Sequence, residues 1–346
     1  MAETLPPLVD ESSLRTYLDE HLGPADDLVV ERHQAGHSNE TFFLTHGGRG
    51  LVLRRPPRGA FLPSAHDVGR EYRVLSALSD TSVRSPSTLL MCEDESVIGA
   101  PFYVMERIDG VVIRDVLPDV YDEGRRARLG EELVDSLVEL HSIDPASCGL
   151  DGFGKPTGYL ERQLRRWTGQ LELTLPHTRP MPDLEAIGDW LRGHLPTSPP
   201  HTIVHGDYKM DNVMYAGAGA PEPTQLVTIL DWEMSTLGDP LADLGWMVSF
   251  WREKEDADDL FTRTTPVTAL SGFQSRGDLV ERYARATKRD VDSLEWYIVL
   301  AIWKLAILLE GSYARHLAGM TDDPFFAEME HGVPQLATRA LQVALG

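Results

Sequence analysis

The sequence is poor in cysteine and in positive charge. Its 346 residues include two cysteines, Cys92 and Cys148, which are too few for a framework of several disulfides and lack the spacing of a metal site. A reducing compartment is therefore expected. Lysine and arginine together number 32 against 54 aspartates and glutamates, so the formal net charge is −22. This excess argues against a general affinity for nucleic acid or anionic membrane, but it identifies no ligand because bulk charge mainly sets solubility.

Targeting and membrane-spanning patterns are also absent from the sequence. The stretch "MAETLPPLVDESSL" has no basic region followed by an apolar core, so no secretory signal is expected. The most apolar segment, "WYIVLAIWKLAILLEG", is interrupted by Lys304 and is shorter than the ~20 residues that span a bilayer. It predicts a buried helix, and we expect the protein to be cytoplasmic.

The composition is that of an ordinary globular protein, with 42% hydrophobic and 25% charged residues. A chain of this length can form one large domain or two, and roughly three quarters of its unfolded surface can be buried. No internal repeat or long low-complexity tract divides it. The domains must therefore be inferred from local patterns.

The first hundred or so residues predict a small α+β unit. In "ETFFLTHGGRGLVLRR" two short apolar runs flank glycines, which predicts a β-hairpin. In "SAHDVGREYRVLSALSD" apolar residues recur at helical spacing, and "IGAPFYVMERIDG" predicts a further strand that ends at a glycine. Beyond Gly110 the pattern becomes helical, with Leu129, Leu133, Leu137 and Leu140 on one face of a long helix.

A polar loop interrupts this helical region at "IVHGDYKMDNVMY". An acid two residues after a histidine, an amide five residues further on and a second acid after a strand are the groups needed to move a phosphoryl group. Asp207 could accept the proton of an attacking hydroxyl, and Lys209 could reach the transferred phosphate. Asn212 and Asp231 could supply hard oxygen ligands to Mg²⁺, which takes few protein oxygens beside phosphates and water. Alternatively, Asp207 and Asn212 cap turns and the nearby histidine is a core residue, but the combined spacing favours chemistry.

These motifs resemble a known family. "HGDYKMDN" followed by "LDWE" is similar to the catalytic and metal motifs of the aminoglycoside phosphotransferase-like kinases, which are distant relatives of protein kinases. "MERIDG", "LHSIDPASCGLDGFG" and "LDWEMSTLGDPLADLGW" resemble the kinase-like domain joined to some acyl-CoA dehydrogenases. The resemblance implies an α+β, two-lobed protein-kinase-like fold. Residues 1–107 would form a small β-rich nucleotide-binding lobe and residues 108–346 a larger helical lobe, with a hinge near 105–110 and ATP between the lobes.

The resemblance also implies a set of nucleotide-binding residues. Strand alternation puts Val52 and Arg54 on one side, and the family normally has a phosphate-gripping lysine where this chain has Arg54. Arginine keeps the charge but is bulkier and not equivalent to lysine. Arg54 is expected to pair with Glu71 on the following helix.

Backbone groups complete the implied nucleotide site. The stretch "QAGHSNETF" stands where the family has a phosphate-covering loop, and the backbone amides around Ser38 and Asn39 could hold an anion. An ordinary turn is the alternative for this loop, which has one glycine. In "YVMERIDG" the backbone of Glu106 and Ile108 is expected to bond the adenine edge. The acids of "GDPLADLG" are expected to brace the catalytic loop rather than to react.

The acceptor side is implied by "GYLERQLRRWTGQ", where related kinases build it. Tyr159, Arg162, Arg166 and Trp167 there suit an anionic or conjugated acceptor better than a polyamine, although a solvated helix face is an equal alternative. Three residues of the late apolar helix could complete the pocket: Lys304, Tyr313 and Arg315.

Three hypotheses follow for the function. The first is a Mg-ATP-dependent kinase that phosphorylates a hydroxyl of a small molecule, for example a hydroxy acid or a hydroxyacyl-CoA. The second is a nucleotide-binding pseudokinase that acts as a regulatory module, which Arg54 and the glycine-poor loop keep open. The third is an aminoglycoside O-phosphotransferase that confers antibiotic resistance. The combination of Asp207, Asn212 and Asp231 favours an enzyme, because a regulatory module has no need of all three.

Overall fold

The structure is a computed structural model, and it describes residues 8–33, 39–58, 67–257, 263, 266–321 and 323–346. The chain forms two compact units. The first ends at Asp109 and also takes in Val227–Ser235, while the second consists of Gly110–Leu226 and Thr236–Gly346. The boundary after Asp109 lies within the stretch 105–110 that the sequence marks as a hinge. The return of Val227–Ser235 to the first unit was not anticipated by the contiguous division predicted from the sequence.

The first unit contains a five-stranded sheet and two helices. Its elements in chain order are α1 (Glu11–Leu22), β1 (Leu28–His33), β2 (Glu40–His46), β3 (Arg49–Arg55), α2 (Val68–Leu78), β4 (Thr88–Cys92) and β5 (Phe102–Glu106). The strands pair antiparallel in the order β1-β2-β3-β5-β4. This arrangement confirms the strand, strand, helix, strand pattern predicted for these residues, to which the structure adds α1, β1 and β4.

The β2–β3 hairpin is the central feature of this sheet. Gly47 and Gly48 form its turn with φ of 60° and 70°, a left-handed conformation that glycine adopts without steric cost. Leu51 and Leu53 of β3 belong to the hydrophobic core of the unit. Because side chains alternate along a strand, Val52 and Arg54 lie on the opposite face.

The second unit is mostly helical. Its helices are α3 (Glu123–Ser142), α4 (Tyr159–Thr174), α5 (Pro182–Gly193), α6 (Leu241–Ser249), α7 (Arg276–Thr287), α8 (Leu294–Leu317) and α9 (Met329–Leu345). Its short strands are β6 (Thr202–Val204), β7 (Val213–Tyr215) and β9 (Thr236–Gly238), and β8 (Leu226–Ile229) leads into the segment that returns to the first unit. Strands β6 and β9 pair antiparallel.

Helix α8 is the central helix of the second unit. Among the described residues it is the one helix that is long and apolar enough to cross a membrane, but more than half of that apolar stretch is buried within the protein. It packs against α4, α5, α6 and α9. The expectation that this segment is too short to span a bilayer was wrong, because the helix continues beyond the quoted stretch to 24 residues, but the prediction of a buried helix agrees with its packing.

Candidate functional site

The polar loop connects β6 to β7 and is shaped by Gly206. This glycine has φ of 88°, in the left-handed region where a side chain would be strained. It turns the chain sharply between His205, which is fully buried, and Asp207, which is partly exposed. The Asp207 N–H donates to His205 Nδ1 at 3.3 Å. The histidine therefore stabilises the turn from inside.

Protein donors hold both carboxylate oxygens of Asp207. The indole N–H of Trp246 on α6 donates to Oδ1 at 2.7 Å, and the amide nitrogen of Asn212 donates to Oδ2 at 2.7 Å. The same amide nitrogen lies 2.8 Å from the Asp207 carbonyl oxygen. Lys209 Nζ lies 3.5 Å from Oδ2. The carboxylate is thus fixed in orientation, which suits a group that must receive a proton at a defined position.

Lys209 is shared between two acids. Its Nζ lies 2.9 Å from Asp211 Oδ2 and 3.5 Å from Asp207 Oδ2. Burial disfavours the ammonium ion, but the carboxylates of Asp207 and Asp211 outweigh burial and raise the pKa of Lys209. Lys209 therefore stays charged at neutral pH. The part taken by Asp211 was missed in the sequence, although its position two residues from Lys209 was a signal.

Helix α6 braces the same loop one turn before Trp246. Asp243 is buried and accepts the N–H groups of His205 and Gly206 at 2.7 and 2.8 Å. Its Oδ2 also lies 3.3 Å from His141 Nε2. Bracing was predicted for Asp243, and the structure shows these contacts.

Lys304 of α8 approaches the loop from another side. Its Nζ donates to the Gly206 carbonyl oxygen at 3.1 Å and lies 4.3 Å from the ring centroid of Trp246. Burial lowers the pKa of Lys304 to about 8, against the attraction of Asp207 and Asp243. A lysine so perturbed beside Asp207 marks this region as a candidate site.

A second cluster of charged groups lies in the first unit. Arg54 Nη1 lies 3.0 Å from Glu71 Oε1 and its Nη2 lies 3.3 Å from Asp231 Oδ1. Asn39 donates to the other oxygen of Glu71 at 3.4 Å. Burial raises the pKa of Glu71, and the charge of Arg54 opposes this effect. The expected Arg54–Glu71 pair therefore forms, while its role toward a nucleotide stays a prediction.

Asp231 has an unusual backbone. Its φ of 61° and ψ of 63° are left-handed, a conformation found for one other non-glycine residue in the described chain, Lys288. Such strain persists where the surroundings impose it and is frequent at functional sites. The segment that carries Asp231 is held to the first unit by Arg70, which donates to the Ser235 carbonyl oxygen at 3.0 Å.

Asn212 and Asp231 each carry an oxygen atom of the kind that Mg²⁺ prefers, and their shared role as metal ligands stays a prediction. The Asn212 amide nitrogen is used by Asp207, so its oxygen is the atom left for a metal, and Asp231 offers a carboxylate. Among the described residues no group of three or more His, Cys, Asp or Glu side chains has the arrangement of a complete metal site.

The other residues predicted to bind the nucleotide lie in different environments. Ser38 lies outside the described residues. Val52 is buried beside Arg54 on β3. The Glu106 N–H already donates to the Ser87 carbonyl at 2.9 Å. Of its backbone groups, the carbonyl oxygen alone is therefore left to accept a hydrogen bond from an adenine base. Ile108 follows β5 and is partly buried.

The predicted acceptor residues separate into two kinds. Tyr159 and Trp167 are buried on α4, and Tyr159 lines a small pocket together with Lys304. Arg162 instead donates to the carbonyl oxygens of two preceding loop residues, and Arg166 is exposed above the Trp167 ring. The sequence pattern therefore identified a helix that lines the pocket, namely α4. The guanidinium groups of Arg162 and Arg166, however, contact neighbouring residues of the chain.

The three residues of α8 that were predicted to complete the pocket also differ in their contacts. Lys304 reaches the loop, whereas Tyr313 stacks on His316 and lies beneath Arg179. Arg315 donates to Ser312 of its own helix. Two residues near Asp207 and Lys304 were missed, namely Trp246 and Gln163. No local signal marks them, because Trp246 is one of many buried residues on α6 and Gln163 is one of several polar residues on α4.

Comparisons with known proteins identify the family and the fold of the chain. Residues 29–297 match the sequence model described as the phosphotransferase enzyme family, APH. Acyl-CoA dehydrogenase family member 11 of Rattus norvegicus is 34% identical over 345 residues, covering 97% of this chain and 43% of that protein. The chain therefore spans less than half the length of this relative.

Solved structures show the same fold. A proposed aminoglycoside phosphotransferase of Ralstonia eutropha has a TM-score of 0.81 at 30% identity, with 97% of this chain and 98% of that chain covered. A thermostable mutant of aminoglycoside phosphotransferase APH(4)-Ia, in ternary complex with AMP-PNP and hygromycin B, has a TM-score of 0.54 at 15% identity, with 97% and 99% covered. The resemblance drawn from the sequence and the kinase-like α+β fold are confirmed.

Proposed function

The chain belongs to the phosphotransferase enzyme family, and on this premise we propose that it transfers the γ-phosphoryl group of ATP to a hydroxyl group of a small molecule. The observation that carries the proposal is the fixed carboxylate of Asp207, held by Trp246 on one oxygen and by Asn212 on the other. A pseudokinase has no use for a carboxylate oriented so closely. A regulatory pseudokinase is therefore the second candidate function.

Asp207 acts on the acceptor hydroxyl. As the hydroxyl oxygen bonds to the γ-phosphorus and the bond to the ADP oxygen breaks, Asp207 receives the hydroxyl proton and later releases it to solvent. Lys209 stays charged beside Asp207 and Asp211, so it can stabilise negative charge on the transferred group. The products are a phosphate ester, ADP and a proton.

The nucleotide side is assigned to the cluster of the first unit. Arg54 takes the phosphate-binding part that lysine has in related kinases, and Glu71, which itself accepts from Asn39, holds its guanidinium in place. Asn212 and Asp231 are the residues that would hold Mg²⁺. When bound, the ion neutralises charge on the phosphates during transfer.

The acceptor is proposed to be a neutral or anionic metabolite, for example a hydroxy acid or a hydroxyacyl-CoA. An aminoglycoside is the alternative, because the APH(4)-Ia structure contains hygromycin B. That neighbour shares the fold at 15% identity, so its ligand does not carry over.

An ADP-release screen tests the proposal. Purified protein is incubated with Mg-ATP and with hydroxy acids, hydroxyacyl-CoAs, sugars, choline-like alcohols or aminoglycosides, and the Asp207→Asn variant is the control. We expect acceptor-dependent ADP release that the variant lacks. Turnover of aminoglycosides alone would replace our acceptor class by the resistance function. Tight ATP binding without turnover of any class would favour the pseudokinase.

A further inference from the structure

A small pocket in the second unit combines three hydrogen-bond donors. The side chains that line it and carry the inference are Tyr159, Gln163, Asp243, Trp246 and Lys304, together with the backbone of Gly206. Because Gly206 precedes Asp207, the pocket adjoins the proposed catalytic carboxylate. The chemistry of its lining therefore bears on which acceptor reaches Asp207.

Lys304 makes no salt bridge in the part of the chain that the structure describes, and the carboxylates of Asp207 and Asp243 act on it only at longer range. Its hydrogen bond to the Gly206 carbonyl oxygen, at 3.1 Å, uses one of the three N–H groups of the ammonium. The rings of Trp246 and Trp167 lie 4.3 and 5.7 Å from Nζ, and their faces attract a cation without neutralising it. Lys304 therefore keeps capacity for an anionic ligand.

Gln163 and Tyr159 add neutral donors. The indole N–H of Trp167 donates to the Gln163 side-chain oxygen at 3.1 Å, and since indole can only donate, this contact fixes the orientation of the Gln163 amide. The NH₂ group of Gln163 is thereby left for a ligand. Burial raises the pKa of Tyr159, so its hydroxyl keeps its proton and can donate as well.

The acids near the pocket are already used by protein donors. Asp243 lines the pocket, but its oxygens accept the N–H groups of His205 and Gly206, and one of them also contacts His141. Asp207 is held by Trp246 and Asn212. A ligand ammonium in this pocket would therefore be repelled by Lys304, whereas a ligand carboxylate would meet unused donors.

We propose that Lys304, Gln163 and Tyr159 form a subsite for a carboxylate group of the acceptor molecule. The assignment rests on the proposed phosphotransfer, because the same molecule must bring its hydroxyl to Asp207. It replaces the arginines of α4 as the anion-recognising groups, since Arg162 is bonded to backbone carbonyls. It also predicts a preference against polyamines without reference to the net charge of the chain.

Calorimetry with matched probes tests the subsite without depending on turnover. Straight-chain hydroxy acids, beginning with 3-hydroxybutyrate, are each compared with the amide and the amino alcohol that carry the same hydroxyl. We expect the acids to bind best and the amino alcohols worst. Gln163→Glu keeps the acceptor for Trp167 but replaces the donor by a carboxylate, and it should weaken hydroxy-acid binding about 10- to 100-fold. Lys304→Met should act likewise, Lys304→Arg should retain binding, and Lys254→Met, at an exposed lysine, is the control.

The outcomes separate this inference from the proposed function. Preferential binding of hydroxy acids that Gln163→Glu abolishes supports the subsite even if no phosphoryl transfer follows. Equal binding of acids, amides and amino alcohols overturns the subsite even if alcohols are phosphorylated. If Lys304→Met unfolds, Gln163→Glu alone decides, because it leaves Lys304 and its contact with Gly206 in place.

Discussion

Trp246 donates its indole N–H to Asp207 Oδ1 at 2.7 Å, and this contact joins helix α6 directly to the proposed catalytic carboxylate. One turn earlier on the same helix, Asp243 accepts the N–H groups of His205 and Gly206. Helix α6 therefore holds the loop at two points, one through backbone groups and one through the reactive side chain. A substitution of Trp246 is therefore expected to change the orientation of the Asp207 carboxylate while the carboxylate itself remains.

Trp246→Phe should lower kcat with little effect on the KM for ATP. Phenylalanine keeps an aromatic ring but removes the donor to a charged carboxylate, so we expect a loss of about 10-fold or more. Steady-state kinetics with the best acceptor of the ADP-release screen measure it. Trp296→Phe is a matched control, because it removes an indole N–H that donates to the Leu191 carbonyl at 3.0 Å. An equal fall in kcat for both variants would make Trp246 a structural residue.

Arg54→Ala should destabilise the protein strongly because it leaves Glu71 buried without its cation. The Glu71 side chain is 1% exposed, and breaking a buried ion pair typically costs about 3–5 kcal/mol of unfolding free energy. Arg54→Lys should cost less and should retain part of the ATP affinity. Urea denaturation and nucleotide titration measure the two effects.

Arg32→Ala provides the comparison for Arg54. Arg32 pairs with Glu40 in the same unit, but its side chain is 48% exposed, so its removal should cost about 1 kcal/mol or less. Similar losses for the two variants would contradict a structural part for Arg54. Unchanged ATP affinity in Arg54→Ala would contradict its nucleotide role.

The sequence predicted the parts of the fold that depend on local pattern. The hairpin followed from strand alternation around Gly47 and Gly48, and the helical second unit followed from apolar periodicity. Asp207, Lys209 and Asn212 were found because their spacing lies within one loop. Their separate catalytic and metal roles stay predictions.

Contacts between distant elements were beyond the sequence. Trp246 and Gln163 reach the loop or the pocket from two different helices, and nothing in their immediate neighbourhood distinguishes them from core residues. Arg162 shows the opposite case, because a cationic residue beside aromatics suggested recognition, whereas in the structure its guanidinium bonds two backbone carbonyls and its role toward an acceptor stays a prediction. Tertiary packing decides which of several possible partners such a side chain contacts.

Binding of hydroxy acids should weaken above about pH 8. Burial lowers the pKa of Lys304 to about 8 in the free protein, with Asp207 and Asp243 opposing burial and Arg166 adding to it. Deprotonation removes the charge that binds a carboxylate, so affinity should fall by up to about tenfold per pH unit. Lys304→Arg should remove this dependence, because arginine stays charged. Calorimetry across pH measures it, and a flat profile in the unmodified protein would contradict the part given to Lys304.

The same group links stability to pH with a definite sign. Lysine has an ordinary pKa of 10.5, and Lys304 is lowered to about 8 in the folded protein. Between these values the unfolded chain binds more protons, so the contribution of Lys304 to unfolding free energy should rise with pH across this window. Lys304→Met should remove that rise, as urea denaturation at several pH values would show.

Substitutions of Asp207 and Asp231 should impair nucleotide binding and turnover to different extents. Asp207→Asn removes the proton acceptor, and because an amide accepts through its oxygen alone it also loses one of the two contacts from Trp246 and Asn212. The proposed metal and nucleotide groups stay in place, so Mg-ATP should bind almost normally while turnover falls by roughly 10²–10⁴. Asp231→Asn weakens a proposed metal ligand and should reduce Mg-dependent nucleotide binding and turnover together, with Asn212→Ala between the two.

Calorimetry with and without Mg²⁺, beside steady-state rates, distinguishes these failures. Both substitutions replace a carboxylate by an amide of nearly equal size, so each variant controls for the loss of one negative charge in the other. Loss of Mg-ATP affinity in Asp207→Asn together with normal affinity in Asp231→Asn would reverse the two assignments. If neither variant changed binding or rate, the fixed carboxylate of Asp207 would be a structural feature of its loop, and the proposed phosphotransfer would fail with it.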